Sequence, residues 1–335
     1  QYIKNKALPD KAIDVLDQAG AVSKLDKVPN VSMENVFQQV AKISKVSKDM
    51  LDVSQKDSYK TLDARIKDKV FGQDDAIDKM VESILVSKAG LREHDKPIGS
   101  FLLVGPTGVG KTETAKRLSE CLDVELVRFD MSEYMERHSV SKLIGAPPGY
   151  VGHAEGELGQ GLLLSEVEKH PNCILLLDEV EKAAPEVLNV LLQIMDDGRL
   201  TGSTGKTVSF NNAILLMTSN LGARDGERAK IGFDNSTNST ASIEAVNKHF
   251  TPEFRNRLDA IIEFNKLSKE QVKPIAMKFI SELNDLLEPR EIQLHVSDEA
   301  LLQLVEEGFD EKMGARPMKR IIAEKVKKTI RVISK

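Results

Sequence analysis

The sequence is poor in the features that nucleic-acid-binding proteins use. It has no tryptophan and only 4 tyrosines among its 335 residues, so few aromatic side chains are available on which bases could stack. It also lacks a basic block, because 47 Lys and Arg residues are balanced by 52 Asp and Glu residues that are mixed along the chain. Binding to a phosphate backbone depends on clustered cations. The composition therefore argues against a nucleic-acid partner.

Long apolar runs and cysteines are also scarce. No run of 18 or more apolar residues occurs, so we expect no membrane-spanning helix and no membrane partner. The two cysteines, Cys121 and Cys173, are far apart in the sequence and form no Cys-x-x-Cys pair, and Cys173 opens an apolar run typical of a buried strand. A disulfide is disfavoured. This usage is typical of a reducing compartment and predicts a cytoplasmic protein, with an organelle matrix as the alternative.

Short apolar runs that alternate with helical patterns predict the fold class. Each run is followed by a polar or glycine-rich loop and usually by a helix, which indicates an α/β fold with a parallel sheet flanked by helices. The runs are Phe101–Val104, Glu125–Phe129, Cys173–Leu177, Ala213–Met217 and Ala260–Phe264. In such sheets the ligand binds beyond the carboxyl ends of the strands.

The pattern becomes mostly helical after the last of these runs. A short strand is expected over Glu291–Val296, followed by a helix that Ser297 or Asp298 caps and Gly308 closes. Pro317 suits the first turn of a last helix. Residues 266–335 are therefore predicted to form a small, mostly helical C-terminal domain.

The remaining chain divides into three parts by its hydrophobic pattern. Residues 1–22 contain a short helical pattern that Gly20 closes, and residues 23–60 are interpreted as a linker with a possible helix near Met33–Ile43. Residues 61–265 carry the predicted strands and form the large domain.

The strongest motif is a phosphate-binding loop between the first strand and a helix. The sequence GPTGVGKT at 105–112 matches the pattern G-x-x-x-x-G-K-[ST]. Its glycines let backbone N–H groups surround phosphates, and the helix N-terminus adds partial positive charge. Lys111 is expected to reach the terminal phosphates and Thr112 to bind Mg²⁺ through its hydroxyl. The predicted nucleotide-binding residues of the loop are Gly105, Pro106, Thr107, Gly108, Val109, Gly110, Lys111 and Thr112. The flanking strand and helix disfavour a chance glycine-rich turn.

A second segment resembles this motif and is rejected as a nucleotide site. The sequence GSTGKT at Gly202–Thr207 has Leu200 where the first glycine of the pattern should stand. Its context is a polar loop and not a strand-to-helix turn.

Acidic and amide side chains follow two other predicted strands. Asp178 and Glu179 end the run Cys173–Leu177, where a carboxylate is needed beside a phosphate-binding loop. Asp178 is predicted to hold hydrated Mg²⁺, and Glu179 to deprotonate an attacking water. Asn220 follows the run Ala213–Met217 and is placed to position that water. The alternative is that these polar residues simply end strands and start loops.

These motifs together resemble a known family. GPTGVGKT, LLLDE, MTSN, FTPEFRNRLD at 250–259 and GARP at 314–317 occur in the order of an AAA+ ATPase. FDMSEYMERH at 129–138, IGAPPGYVG at 144–152 and DEVEKAAPEV at 178–187 are similar to the second ATPase module of the Clp unfoldases, in particular the ClpA type. The resemblance covers nearly the whole chain.

The resemblance implies roles for two arginines and an adenine-binding segment. Arg257 looks like the arginine finger that reaches a neighbouring subunit's nucleotide, and Arg316 like the sensor that couples the small domain to the phosphates. Without the resemblance, each would be interpreted as a surface or interface ion pair. Val70, Phe71, Gly72 and Gln73 resemble the segment that packs on adenine, and the alternative is that they only lead into a helix. The implied cofactors are ATP and Mg²⁺.

Two further segments resemble functional loops of the family. Gly149, Tyr150, Val151 and Gly152 resemble the pore loop whose aromatic grips an unfolded chain, a contact that is nearly sequence-blind. The alternative is that Tyr150 folds back on its own domain. The segment that follows, His153–Leu163, is longer than is usual in the family.

The other loop contains isolated apolar residues. Ile231, Gly232 and Phe233 stand in a polar stretch and resemble the tripeptide by which some Clp unfoldases dock on the ClpP peptidase. Disaggregating relatives lack it. From the residues alone, docking and a tucked-in loop remain equally open.

The resemblance implies an ATP hydrolase that is not itself a peptidase. We expect a homo-hexamer that threads unfolded protein substrates into a ClpP-type peptidase, with an adaptor as a possible partner. The alternative is a ClpB-like disaggregase. Glu179 and Arg257 disfavour a nucleotide switch, and the lack of a basic stripe disfavours a DNA-handling ATPase. Residues 7–21 resemble the end of the family's first ATPase module, so an upstream module is expected, and the C-terminal domain is expected to be truncated at its end.

Overall fold

A computed structural model describes residues 8–25, 30–44, 59, 61–93, 95–145, 161–222, 238–290, 293–310 and 313–333. The first elements in chain order are α1 (Asp10–Leu25), α2 (Met33–Ser44), α3 (Leu62–Lys67), α4 (Asp74–Lys88), β1 (Gly99–Val104), α5 (Lys111–Leu122), β2 (Glu125–Asp130), α6 (Arg137–Ile144), α7 (Leu162–Lys169) and β3 (Cys173–Asp178). They are followed by α8 (Pro185–Asp197), β4 (Arg199–Thr201), β5 (Thr207–Ser209), β6 (Ile214–Ser219), α9 (Asn238–His249), α10 (Pro252–Asn256), β7 (Ala260–Glu263), α11 (Lys269–Leu287), α12 (Asp298–Gly308) and α13 (Met318–Ile333).

Within these described ranges, five strands form one sheet in the order β2-β3-β6-β1-β7, and every neighbouring pair is parallel. Each predicted apolar run coincides with one of these strands, so the predicted fold class is confirmed. The parallel arrangement brings the carboxyl ends of β1, β3 and β6 to one edge of the sheet.

The central strands are buried on both faces, which explains why their sequences are continuously apolar. Leu102 and Val104 of β1 point to one apolar core, while Phe101 and Leu103 point to the other. Cys173 is buried at the start of β3 and, like Cys121, is a free thiol, and burial raises the pKa of Cys173 to about 12. None of the described helices is long and apolar enough to cross a membrane.

The C-terminal helices α11, α12 and α13 surround a separate small core. The predicted cap is confirmed, because Ser297 Oγ accepts a hydrogen bond of 3.3 Å from the amide of Ala300, and the helix ends at Gly308. The strand predicted over Glu291–Val296 is wrong for residues 293–296, whereas residues 291 and 292 lie outside the described residues. The amide of Leu294 donates to Asn284 Oδ1 at 2.8 Å instead of to a partner strand.

The N-terminal helix is longer than predicted. Gly20 does not close it, because α1 continues through that glycine to Leu25. Ala21 and Val22 follow, and a single internal glycine costs only about 1 kcal/mol relative to alanine. The helix expected near Met33–Ile43 is observed as α2 and packs against α1.

The GSTGKT segment forms the turn of the antiparallel hairpin β4–β5. The amide of Gly202 donates to the Lys206 carbonyl at 2.9 Å, and that of Gly205 donates to the Gly202 carbonyl at 3.0 Å. Both amides donate to carbonyls inside the hairpin and are not directed at a phosphate. This agrees with the rejection of the GSTGKT segment as a nucleotide site.

Candidate active site

A cavity of about 450 Å³ lies at the carboxyl edge of the sheet, between the large and small domains. It brings together residues that the sequence predicted from segments far apart in the chain. The predicted residues that line it are Val70, Phe71, Thr107, Gly108, Val109, Gly110, Lys111, Thr112, Asp178, Glu179, Asn220 and Arg316. Gly105 and Pro106 border it through their carbonyl groups, which accept hydrogen bonds from Lys111.

The loop after β1 adopts a conformation that suits phosphate binding. Gly108 and Gly110 have φ values of +78° and +110°, which side chains rarely tolerate. Gly110 is the N-cap of α5, so the first amides of this helix and its partial positive charge are directed at the cavity.

Lys111 is the buried cation of the cavity. Its Nζ donates to the carbonyls of Gly105 at 2.6 Å and Pro106 at 2.7 Å, and to Asn220 Oδ1 at 3.0 Å. Burial lowers the pKa of Lys111 to about 8, against the opposing attraction of nearby carboxylates. The ammonium group is thus held by neutral acceptors, which phosphate oxygens can replace without leaving it unpaired.

Asp178 is buried at the end of β3 and uses both carboxylate oxygens. Oδ1 accepts from Thr218 Oγ1 at 2.6 Å and from Thr112 Oγ1 at 3.2 Å. Oδ2 lies 2.7 Å from a guanidinium nitrogen of Arg128. A carboxylate beside a threonine hydroxyl is a donor set that fits hydrated Mg²⁺. The described residues contain no group of three or more His, Cys, Asp or Glu that could hold a metal, so a metal here would depend on water and phosphate for its other ligands.

Glu179 occupies an unusual backbone conformation just beyond the strand. Its φ is +58°, uncommon for a residue with a side chain. Its amide donates to Thr218 Oγ1 at 3.0 Å, and its Oε1 accepts from Asn220 Nδ2 at 3.1 Å. Lys182 also pairs with this carboxylate. Asn220 and Lys182 therefore orient the Glu179 side chain at the cavity wall.

Asn220 connects three parts of the site. In addition to its contacts with Lys111 and Glu179, its backbone amide donates to Glu181 Oε1 at 3.0 Å. Sequence analysis did not identify Glu181, although it lies only two residues after the predicted base. The Glu181–Asn220 contact joins the turn after β3 to the end of β6.

The small domain reaches the cavity through the loop that carries Arg316. The amide of Ala315 donates to the Gly108 carbonyl at 3.3 Å. A Cβ atom at Gly108 would lie 1.9 Å from the Met313 carbonyl oxygen. Gly108 therefore permits a backbone-to-backbone approach between the phosphate-binding loop and the small domain.

A charged side chain of α11 makes a second connection between the domains. Lys278 Nζ donates to the Lys69 carbonyl at 3.0 Å and to Glu113 Oε1 at 2.6 Å. Burial alone would raise the pKa of Glu113, but hydrogen bonds from Lys278 and Arg117 outweigh burial and lower it. This ionic group lies directly beside Thr112, so the orientation of the small domain is tied to the phosphate-binding helix.

Gln73, the last residue of the predicted adenine segment, holds that segment in place through contacts that sequence analysis did not identify. Its buried amide donates to the carbonyls of Val109 at 3.2 Å and Asn265 at 2.9 Å, and its Oε1 accepts from the Asn265 amide at 3.0 Å. Val70 and Phe71 precede it and line the cavity.

The predicted arginine finger does not line the cavity of its own chain. Arg257 follows α10 and pairs with Asp196 at the end of α8. The segments Gly149–Gly152 and Ile231–Phe233 lie outside the described residues, so their predicted roles stay predictions.

Three family models match successive parts of the chain. Residues 96–261 match the AAA domain (Cdc48 subfamily). Residues 267–332 match the C-terminal D2-small domain of ClpB protein. Residues 1–68 match an AAA lid domain.

Curated relatives carry Clp names. A ClpA homolog protein of Fuscovulum blasticum is 48% identical over 336 residues, which cover 98% of this chain and 42% of that protein. The ATP-dependent Clp protease ATP-binding subunit ClpE of Bacillus subtilis is 38% identical over 97% of this chain and 54% of its own length. The chaperone protein ClpB of Oceanobacillus iheyensis is 36% identical over 97% and 49%, respectively. The chain thus spans about half the length of these relatives.

Solved structures give the same grouping. Hsp104 in a complex with ATPγS and FITC casein superimposes with a TM-score of 0.83 and 33% identity, over 98% of this chain and 58% of that chain. The Saccharomyces cerevisiae Hsp104:casein complex gives a TM-score of 0.82 and 34% identity, over 99% and 58%. Sequence motifs, fold, site geometry and relatives agree: the chain belongs to the Clp family of AAA+ ATPases and matches their second ATPase module.

Proposed function

We propose that this module converts ATP hydrolysis into the unfolding and threading of protein substrates. The observation that carries the proposal is the convergence of Lys111, Asp178, Glu179 and Asn220 on one cavity that a second domain closes with Arg316. A cation, a metal-binding acid, a base and an amide are the groups that hydrolysis of a phosphoanhydride requires.

The chemistry follows from the contacts of these residues. Lys111 exchanges its carbonyl partners for oxygens of the terminal phosphates. Thr112 and Asp178 are placed to hold Mg²⁺, which when bound would neutralise charge on the phosphates. Glu179 accepts a proton from the attacking water, and Asn220 keeps its carboxylate oriented through the 3.1 Å hydrogen bond.

The domain contacts provide a route from nucleotide to movement. Arg316, the Gly108–Ala315 hydrogen bond and the Lys278–Glu113 ion pair all join the small domain to groups beside the phosphates. A change in phosphate occupancy alters these contacts directly, and the small domain then changes its orientation relative to the sheet.

We propose that the assembly that threads substrates is a homo-hexamer whose pore is lined by the Gly149–Gly152 loops. The solved Hsp104 complexes that this chain resembles contain casein, which supports an unfolded-protein substrate. Tyr150 supplies an aromatic contact that does not depend on the substrate's sequence.

We further propose that Ile231, Gly232 and Phe233 dock the ring on a ClpP-type peptidase. Relatives named as subunits of an ATP-dependent Clp protease support this version, whereas relatives named ClpB support the disaggregase alternative. The apolar tripeptide favours docking, because burying one Phe contributes roughly 1.5–3 kcal/mol and the contact is repeated around the ring.

Phe233→Ala is expected to weaken peptidase association at least tenfold, and to reduce degradation of a folded substrate while ATP turnover stays within about twofold of the wild type. The measurements are peptidase affinity and degradation rate in the assembled protein. Leu286→Ala, which truncates an exposed apolar side chain on α11, is the matched control. If Phe233→Ala left peptidase affinity unchanged, the disaggregase alternative would be favoured over peptidase docking.

Nucleotide affinity is expected to fall as the pH rises above about 8. The pKa of Lys111 is about 8, and bound phosphate oxygens would raise it, so binding takes up a proton above that pH. The dissociation constant of ADP should increase by up to about tenfold per pH unit between pH 8 and 9.5, and stay flat below pH 7.5. Calorimetry in two buffers of different ionisation heat measures the proton uptake directly.

Lys111→Arg provides the control for this profile, because arginine remains charged throughout the range. The affinity of Lys111→Arg for ADP should be weaker than that of the wild type but independent of pH. A wild-type dissociation constant that stayed constant to pH 9.5 would contradict the assigned role of the lowered Lys111 pKa.

A further inference from the structure

The cavity contains a positive charge to which the proposed reaction gives no role. Arg128 lies on β2, the edge strand beside β3, and lines the same cavity as Asp178. Its guanidinium Nη2 is 2.7 Å from Asp178 Oδ2. In the register of the two strands Asp130 lies opposite Asp178, so Arg128 reaches diagonally across by two positions.

The two carboxylate oxygens of Asp178 differ in the charge of their partners. Oδ1 accepts from the hydroxyls of Thr112 and Thr218, which are neutral donors, and the Thr112 hydroxyl also lies 3.4 Å from Oδ2. Oδ2 pairs with the guanidinium of Arg128, which among the described residues is the only full positive charge within 4 Å of this carboxylate. A buried carboxylate needs such a counter-charge, and Arg128 supplies one.

Arg128 can also move away from Asp178 at little cost in packing. Its side chain is 54% exposed, whereas that of Asp178 is 8% exposed, so moving the guanidinium into water removes little packing. Asp130, two residues further on the same strand face, lines the cavity as well. Its pKa is lowered chiefly by the hydrogen bond from Ser132 and in part by Arg128, so a second carboxylate lies close enough to attract the released guanidinium.

We propose that Arg128 is a resident counter-cation of Asp178 that Mg²⁺ must displace when the nucleotide binds. It is a positioning residue, and it sets the Mg²⁺ concentration at which the nucleotide complex forms. The inference rests on the proposed nucleotide function, in which Asp178 and Thr112 hold the metal. Mg²⁺ held by Thr112 and Asp178 would bring a second positive charge beside the guanidinium, because the Thr112 hydroxyl lies 3.4 Å from the oxygen with which Arg128 pairs. Like charges this close repel each other, so the two cations compete for Asp178.

The test is a Mg²⁺ titration of the full chain at a fixed concentration of a fluorescent ADP analogue. Arg128→Gln is expected to lower the half-saturating Mg²⁺ concentration about fivefold, the size expected when a partly exposed ion pair no longer competes. Arg128→Lys keeps the charge and should stay within about twofold of the wild type. As a control, Lys206→Gln removes a cation on the β4–β5 hairpin that pairs with Glu168 of α7. It should not change the half-saturating Mg²⁺ concentration.

Other results would overturn the proposal. An unchanged or higher half-saturating Mg²⁺ concentration in Arg128→Gln would mean that the guanidinium does not compete with the metal. A loss of nucleotide affinity in the presence of a chelator would identify Arg128 as a phosphate ligand instead. Arg128→Met serves as a second variant, and thermal melting of both verifies folding. If the wild type itself showed no Mg²⁺-dependent nucleotide binding, the proposed function would fail, and not merely the role of Arg128.

Discussion

Glu179→Gln should lower the rate of ATP turnover by about 10²–10³-fold while nucleotide affinity changes little. The substitution keeps the volume of the side chain and an acceptor for the 3.1 Å hydrogen bond from Asn220, but it removes the proton-accepting carboxylate. A general base typically contributes 10²–10⁴ to a rate. The side chain makes no hydrogen bond to Lys111 or Thr112, so the groups that bind the phosphates should remain in place.

The measurement pairs steady-state phosphate release with equilibrium nucleotide binding. Glu133→Gln, which neutralises an exposed acid in the short turn after β2, is the control and should leave both quantities unchanged. Turnover of Glu179→Gln close to that of the wild type would remove Glu179 as the base. Equal loss of turnover and affinity would indicate that the variant disturbs the cavity and not the proton transfer.

The elements that sequence analysis predicted correctly are those with a local cause. The sheet was predictable because strands buried on both faces need continuous apolar sequence, as in the run from Cys173 to Leu177. The phosphate-binding loop was predictable because one contiguous segment carries its pattern. The approach of Glu179 to Asn220 was also predictable, since parallel strands end at the same edge of the sheet.

The contacts that sequence analysis missed join positions that no local pattern relates. Lys278 and Glu113 are 165 positions apart, and their pairing depends on how the small domain docks. The Arg128–Asp178 pair depends on the register of two strands, which apolar content does not specify. The false strand near Leu294 illustrates the reverse error, because a β-favouring segment forms a strand only where a neighbouring strand offers its backbone.

Arg257→Ala is expected to reduce ATP turnover by about 10³-fold in the assembled ring, because arginine fingers typically contribute 10³–10⁵. Arg257 pairs with Asp196 and does not line the cavity of its own chain. Any action on a transferring phosphoryl group must therefore be on a neighbouring subunit's nucleotide. The simpler alternative is that Arg257 only stabilises the end of α8, in which case Asp196→Asn would reproduce the loss; the finger assignment predicts that it does not.

Mixing two inactive variants separates these alternatives further. An Arg257→Ala subunit keeps an intact phosphate-binding loop, and a Lys111→Ala subunit keeps an intact finger. In rings assembled from equal amounts of both, about a quarter of the interfaces combine an intact loop with an intact finger, so turnover should recover to about that fraction of the wild type. Replacing the Lys111→Ala partner with a subunit that carries both substitutions should abolish the recovery. If mixed rings form but recover no turnover, Arg257 does not act in trans, and its pairing with Asp196 is the better account of its role.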